Sequence, residues 1–138
     1  MPLSEFVSEL NDLEPVEKLE WLVEFADELP DISAEKKATP FPEVCLIQEC
    51  QTPVHLWVTV NAGKIHLEAH VPQKSPTVRG LVALVVRGLE GEDVAEGLNL
   101  PDDMVAHLGL GSVLGMTRQQ GFRGVVARIK RGLRAWDG

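Results

Sequence analysis

Two alternating apolar segments separated by a short turn constrain the fold of this chain more than any other feature. The residues between them, Asn61-Ala62-Gly63-Lys64, are typical of a tight turn, so the segments are predicted to pair as an antiparallel hairpin. In this pairing Trp57 lies opposite Glu68, and His55 lies opposite His70. One face of the hairpin is apolar and comprises Val54, Leu56, Val58, Val60, Ile65, Leu67, Ala69 and Val71.

Apolar residues at helical spacing predict helices on both sides of this hairpin. The two helices that precede it are expected to cover part of the sheet, and the helix that follows it is the most apolar and is predicted to be central. The predicted spans are residues 4–13 after a Ser4 cap, 15–29 before Pro30, 76–89 after a Ser75 cap, 94–98, 102–108, and 117–136 with Thr117 as the cap.

A third strand is predicted at residues 44–48, which are short and rich in strand-favouring side chains. The order of helices, short antiparallel strands and further helices gives an α+β fold, with a small sheet of about three strands packed against helices. Because the chain has 138 residues, of which 44% are hydrophobic, we expect one domain over residues 1–138.

Charge and hydropathy exclude several classes of partner. A net charge of −8 argues against binding to nucleic acid or an anionic membrane. No apolar run approaches the roughly 20 residues that span a bilayer, and the N-terminus lacks a signal-peptide pattern, so a cytoplasmic protein is expected. Residues 1–35 contain eleven acids and one base, Lys18, whereas residues 104–136 contain six bases and no acid. We interpret both as solvated helix faces that attract each other, with a docking patch as the alternative.

The two cysteines differ in their surroundings. Cys50 lies in a polar run, Glu49-Cys50-Gln51-Thr52-Pro53, and is therefore predicted at a loop tip where the thiol is reachable. Cys45 lies among apolar residues and is predicted to be a small buried hydrophobe. Two cysteines are too few for a disulfide scaffold.

Three short motifs follow one another along the chain, and the first is Cys50-Gln51-Thr52-x-Val54. It resembles the Cys-Gln-Ser-x-Val-Trp signature of the SufE family, the sulfur-acceptor partners of cysteine desulfurases. Val78-Arg79-Gly80-Leu81-Val82-Ala83 resembles its Val-Lys/Arg-Gly-Leu-Ile-Ala, and Arg118-Gln119-Gln120-Gly121-Phe122 resembles its Arg-Ser-Asn/Gln-Gly-Leu. The order and spacing of the motifs cover nearly the whole chain.

The resemblance implies an α+β fold shared with scaffold proteins of the IscU type, and it implies a function. Cys50 would be the nucleophile that takes persulfide sulfur from a SufS-like desulfurase, with Gln51 and Arg118 in supporting or partner-facing positions. The pyridoxal phosphate belongs to the desulfurase, so this chain needs no cofactor of its own. Sulfur would pass to a scaffold for iron-sulfur cluster assembly.

Two alternative functions stay open, and departures from the family pattern suggest the first of them. Glu49 stands where the family has glycine, and a carboxylate there raises the pKa of the neighbouring thiol. Pro53 stiffens the loop, His55 replaces a tryptophan, and Gln73-Lys74 replaces a Ser-Asp pair. One alternative is therefore a desulfurase-docking or regulatory module that has lost sulfur transfer. The other is a thiol redox switch that joins Cys45 and Cys50.

Metal chemistry is weakly supported. His55 and His70 are predicted cross-strand neighbours, but a third ligand of suitable reach is missing, so polar residues on an exposed sheet face are the better interpretation. A cluster scaffold of the IscU type would need three cysteines, and this chain has two.

Overall fold

The computed structural model describes residues 2–136, and it confirms an α+β fold with a small antiparallel sheet. Helices precede and follow the sheet along the chain. The elements are α1 (Pro2–Asn11), α2 (Pro15–Phe25), β1 (His55–Asn61), β2 (Lys64–His70), α3 (Pro76–Leu89), α4 (Val94–Leu98), α5 (Met104–His107) and α6 (Met116–Ala135), with short 3-10 turns at Ala26–Glu28, Ala34–Lys36 and Glu43–Cys45.

The hairpin has the predicted register. Trp57 pairs with Glu68, and His55 pairs with His70. The turn works because Ala62 and Gly63 both have positive φ, 51° and 77°, which matches the twist of a tight hairpin. The inward face of the two strands is buried against the helices by Leu56, Val60, Ile65, Leu67 and Ala69.

The third strand predicted at residues 44–48 is wrong. Glu43–Cys45 forms a 3-10 turn after Pro42, and only Leu46 makes an isolated antiparallel bridge, to His55. One further hydrogen bond joins the Ile47 amide to the Val54 carbonyl at 2.9 Å. The pairing stops there because the chain turns, and the Ile47 carbonyl accepts from the Cys50 amide at 3.2 Å. Among the described residues the sheet therefore has two strands.

Several predicted helix ends and caps are also wrong. The first helix begins at Pro2, so Ser4 is inside it, and the second gives way to a 3-10 turn after Phe25. The last helix has Gly115 as its N-cap in place of Thr117. Trp136 lies beyond the end of that helix and is 45% exposed, so it does not continue the buried stripe.

The central helix α3 is confirmed from Pro76 to Leu89, and most of its residues are buried. α1 and α2 pack mainly on this helix, so the expectation that they cover the sheet is wrong. α3 in turn packs on β2 and α6. The close approach of α2 requires Gly80, because a β-carbon there would overlap the carbonyl oxygen of Leu22 and lie 2.6 Å from its carbonyl carbon.

The oppositely charged ends of the chain do not pair with each other among the described residues. On α6, Arg123 pairs with Asp103 at 3.4 Å and Lys130 with Asp102 at 2.7 Å. Lys18, the base among the N-terminal acids, is buried and donates to the carbonyls of residues 108 and 109 at 3.1 and 3.2 Å. Both charged runs otherwise remain on solvated faces, as interpreted from the sequence.

No helix within residues 2–136 combines the length and the apolar character that crossing a membrane requires.

Gly80 provides a test of the central packing. We expect Gly80→Ala to lower the free energy of unfolding by about 2 kcal/mol or more, since α2 must move away from α3. Gly111→Ala is the matched control, because a β-carbon at Gly111 meets nothing within 4 Å. Urea denaturation followed by circular dichroism measures both variants. Equal stability of the two variants would show that α2 does not approach α3 this closely.

Candidate functional site: a cysteine loop over an apolar cavity

The cysteine loop, residues 47–54, is closed at its base and carries Cys50 at its tip. Its ends are the buried residues Ile47 and Val54, joined by the Ile47 amide to Val54 carbonyl hydrogen bond of 2.9 Å. Inside the loop the Cys50 amide donates to the Ile47 carbonyl at 3.2 Å. Cys50 therefore lies at a loop tip, as predicted, and two backbone hydrogen bonds hold the loop.

The Cys50 side chain packs against α6. A β-carbon at Gly121 would lie 2.9 Å from Cys50 Sγ, which is closer than such atoms normally come, and 3.5 Å from Cys50 Cα. Cys50 is half-buried as a result. The thiol is therefore more sheltered than the polar sequence around it indicates.

Beneath the loop, α3 and α6 enclose an open cavity of about 370 Å³. Cys50 lines it together with a mostly apolar wall. The wall comprises Val78, Leu81, Val82, Phe122 and Val125. A group attached to Cys50 Sγ would therefore have a partly apolar space beside it.

Gln51 and Arg118 line the same cavity, so the three residues singled out from the sequence lie together. Both side chains are exposed, and Arg118 is in the first turn of α6. Gln119, also in α6, is buried and donates to the Leu114 carbonyl at 2.7 Å, and it thereby holds the end of the turn that precedes α6. Sequence reasoning gave Gln119 no role, although it stands within the Arg-x-x-Gly motif.

A hydroxyl pair ties the cysteine loop to α3. Thr52 Oγ1 and Ser75 Oγ are 3.1 Å apart, and Ser75 makes no side-chain cap to the helix that it precedes. The sequence predicted Ser75 as a cap. Its hydroxyl instead bonds the loop, so the far side of the loop is fixed to the N-terminus of α3.

Glu49 occupies a notch on α6. A β-carbon at Gly124 would lie 2.7 Å from both Glu49 Cδ and Oε1. The residue is exposed overall, and within residues 2–136 no base lies at ion-pair distance from its carboxylate. The backbone here needs no glycine, since positive φ is recorded at other positions.

The pKa of the Cys50 thiol is raised from 9.0 to about 11. Burial is the larger cause, because the cavity wall and α6 solvate a thiolate poorly, and the negative charge of Glu49 adds to it. The sequence predicted the direction of the Glu49 effect but not the larger contribution from burial. The docked thiol is protonated at neutral pH.

Cys45 is only 5% exposed and is the buried hydrophobe that the sequence predicted. Burial raises the pKa of its thiol, against the opposing effects of the Arg128 and Lys36 cations. Both cysteines are free thiols in this structure. Cys45 is buried in the 3-10 turn, whereas Cys50 lies at the loop tip and lines the cavity.

The histidine pair on the outer face of the hairpin is covered by an aromatic ring. The Phe41 ring centroid is 4.9 Å from that of His55 and 4.9 Å from that of His70, and it contacts Trp57 edge-on at 5.7 Å. Burial lowers the pKa of His55, with a further contribution from His70. Among the described residues no group of three or more His, Cys, Asp or Glu side chains is arranged for a metal ion.

Comparisons with known proteins agree with this geometry. A family model described as "SufE: Fe-S metabolism associated domain" matches residues 4–133. Two proteins of Mycobacterium tuberculosis, from strains CDC 1551 / Oshkosh and ATCC 25618 / H37Rv, are each named an uncharacterized SufE-like protein. They are 35% identical to this chain over 140 residues, with 99% of this chain and 94% of theirs covered.

A solved structure shares the fold. The solution structure of a hypothetical protein from Thermus thermophilus matches with a TM-score of 0.81 at 28% identity, covering 96% of this chain and 93% of that chain. Fold and matches together define a protein domain associated with iron-sulfur metabolism. The chain belongs to the SufE family, and the resemblance found in the sequence is confirmed.

The raised pKa of Cys50 has a measurable consequence. We expect iodoacetamide to alkylate Cys50 about 100-fold more slowly at neutral pH than an ordinary cysteine, with a rate that rises until about pH 11. Mass spectrometry of a Cys45→Ala variant measures this rate, and the urea-unfolded chain is the control. A reaction rate that levels off below pH 9 would contradict the docked position of the thiol.

The raised pKa of Cys50 also makes the stability of the fold depend on pH. Because the unfolded chain loses its thiol proton first, the free energy of unfolding falls as pH rises from about 9 to about 11.

Proposed function

We propose that this protein is a sulfur acceptor: Cys50 takes persulfide sulfur from a cysteine desulfurase and passes it to iron-sulfur cluster assembly. The observation that carries the proposal is the placement of Cys50 at a loop tip directly beside an apolar cavity. Membership of a family associated with iron-sulfur metabolism supports it.

The chemistry needs a single thiol. The Cys50 thiolate attacks the outer sulfur of the donor persulfide, a new S–S bond forms at Cys50 Sγ, and the donor S–S bond breaks. The donor cysteine leaves as a thiolate and takes up the proton that Cys50 has lost. No external oxidant or reductant is consumed, because the sulfane sulfur keeps its oxidation state throughout.

The cavity supplies protection for the product. A persulfide is more acidic and more reactive than a thiol, so an exposed one is lost to water-borne oxidants and thiols. The apolar wall of Val78, Leu81 and Phe122 limits the access of these reagents while the loop is docked. Reaction with a donor requires the loop to leave the cavity, since the docked thiol is both protonated and half-buried.

The partner for this reaction is a SufS-like desulfurase, whose pyridoxal phosphate breaks the carbon-sulfur bond of cysteine. Gln51 and Arg118 line the cavity and have exposed side chains, which supports the proposal that they face that partner. The sulfur recipient is a scaffold for cluster assembly.

A docking or regulatory module without sulfur transfer is the second candidate. It is favoured by the pKa of about 11, which leaves roughly one thiolate in 10,000 at neutral pH in the docked loop. Such a protein would bind the desulfurase through the same surface and change its turnover without accepting sulfur.

Desulfurase turnover separates the two candidates. We expect this protein to accelerate alanine release from cysteine, and we expect Cys50→Ser to abolish that acceleration, because the remaining thiol, Cys45, is buried and cannot accept the sulfur. Cys45→Ala is the matched control and should retain the acceleration. Full acceleration by Cys50→Ser would contradict the acceptor function and favour the docking module.

A further inference from the structure

The Glu49 side chain packs on the backbone of Gly124, which forms its seat on α6. The contact of Gly124 with Glu49 lies one helical turn from the contact of Gly121 with Cys50, so two neighbouring loop residues rest on two glycines of α6. A side chain as small as alanine at residue 124 would meet Glu49 Cβ at 2.8 Å as well as its carboxylate. The seat therefore determines where the Glu49 charge lies.

That charge is next to the thiol and is not neutralised among the described residues. The charged groups of the elements packed around the loop lie elsewhere within residues 2–136: Arg128 acts on Cys45, Arg123 pairs with Asp103, and Arg118 borders the cavity without an ion pair. α3 contributes apolar side chains to the wall. The Glu49 carboxylate is thus the nearby charge that disfavours a Cys50 thiolate.

We propose that Glu49, seated on Gly124, is a positioning residue that keeps Cys50 unreactive in the docked loop, and that a cationic group of the sulfur donor draws it away when the two proteins meet. The second half rests on the proposed function. The carboxylate is exposed, so an approaching cation can pair with it. Pairing removes the repulsion of the thiolate and pulls the loop off its seat in the same step.

The reaction that follows is balanced. Cys50 releases its proton, its thiolate bonds to the outer sulfur of the donor persulfide, and the donor thiolate departs and is protonated. Glu49 forms no covalent bond and ends the step as a carboxylate. Its role is to make the loss of the Cys50 proton depend on the donor.

Alkylation of Cys50 tests the first half without any partner. In a Cys45→Ala background, we expect Glu49→Gln to shift the pH profile of iodoacetamide alkylation down by about half a unit to one unit, which is a roughly three- to tenfold faster reaction at a fixed pH. Glu43→Gln removes the same charge from the exposed 3-10 turn that precedes the loop and is the matched control. An unshifted profile in Glu49→Gln, or an equal shift in Glu43→Gln, would overturn the proposal.

A double-mutant cycle tests the seat. Gly124→Ala should accelerate alkylation when Glu49 is present, because the side chain no longer fits. In a Glu49→Gly background the same substitution should have no effect, since no side chain remains to be displaced. Circular dichroism verifies that each variant is folded. Equal effects of Gly124→Ala in both backgrounds would show that the seat does not act through Glu49.

Transfer from the desulfurase tests the second half. We expect Glu49→Gln to raise the KM for this protein about two- to fivefold at low salt and to weaken the salt dependence of transfer, as loss of one exposed ion pair predicts. Unchanged KM and salt dependence would overturn the requirement for a cationic donor group. If neither wild type nor variant gains sulfur, the proposed function fails, whereas the alkylation profiles still decide the role of Glu49.

Discussion

The close packing of the cysteine loop on α6 is the contact on which the site depends. It is possible because Gly121 and Gly124 leave room for the side chains of Cys50 and Glu49. The same contact half-buries the thiol, forms one side of the cavity and places a carboxylate beside the thiol. The geometry of the site and the raised pKa of Cys50 therefore have one origin. A larger residue at either glycine would change all three properties together.

The rest of the fold supports that contact from two sides. α3 forms the opposite wall of the cavity and is itself fixed by α2, which approaches at Gly80, and by β2. Thr52 and Ser75 tie the loop to the start of α3, while the Ile47 to Val54 hydrogen bond closes its base. These hydrogen bonds are few and contribute about 1 kcal/mol each, which agrees with the proposal that the loop leaves its seat to react.

Local patterns predicted the hairpin register, the central helix and the loop tip, because each depends on residues close together in sequence. The alternation of apolar residues determines which side chains face inward. The turn at Asn61-Ala62-Gly63-Lys64 then determines that His55 lies opposite His70. The predicted third strand is absent because the chain turns after Ile47, whose carbonyl accepts from the Cys50 amide. The seat of Glu49 on Gly124 joins distant parts of the chain and has no local signature. The sequence predicts a helix cap for Ser75, because its actual partner, Thr52, is also distant along the chain and leaves no local pattern.

The proposed transfer of sulfur to Cys50 underlies every role proposed for the loop and its cavity. The most direct measurement is the intact mass of the purified protein after incubation with a cysteine desulfurase and cysteine, before and after reductant, for wild type and Cys50→Ser. We expect wild type to gain one sulfur atom that reductant removes, and the variant to gain none. No gain in wild type, with a desulfurase shown to be active on another acceptor, would contradict the acceptor function.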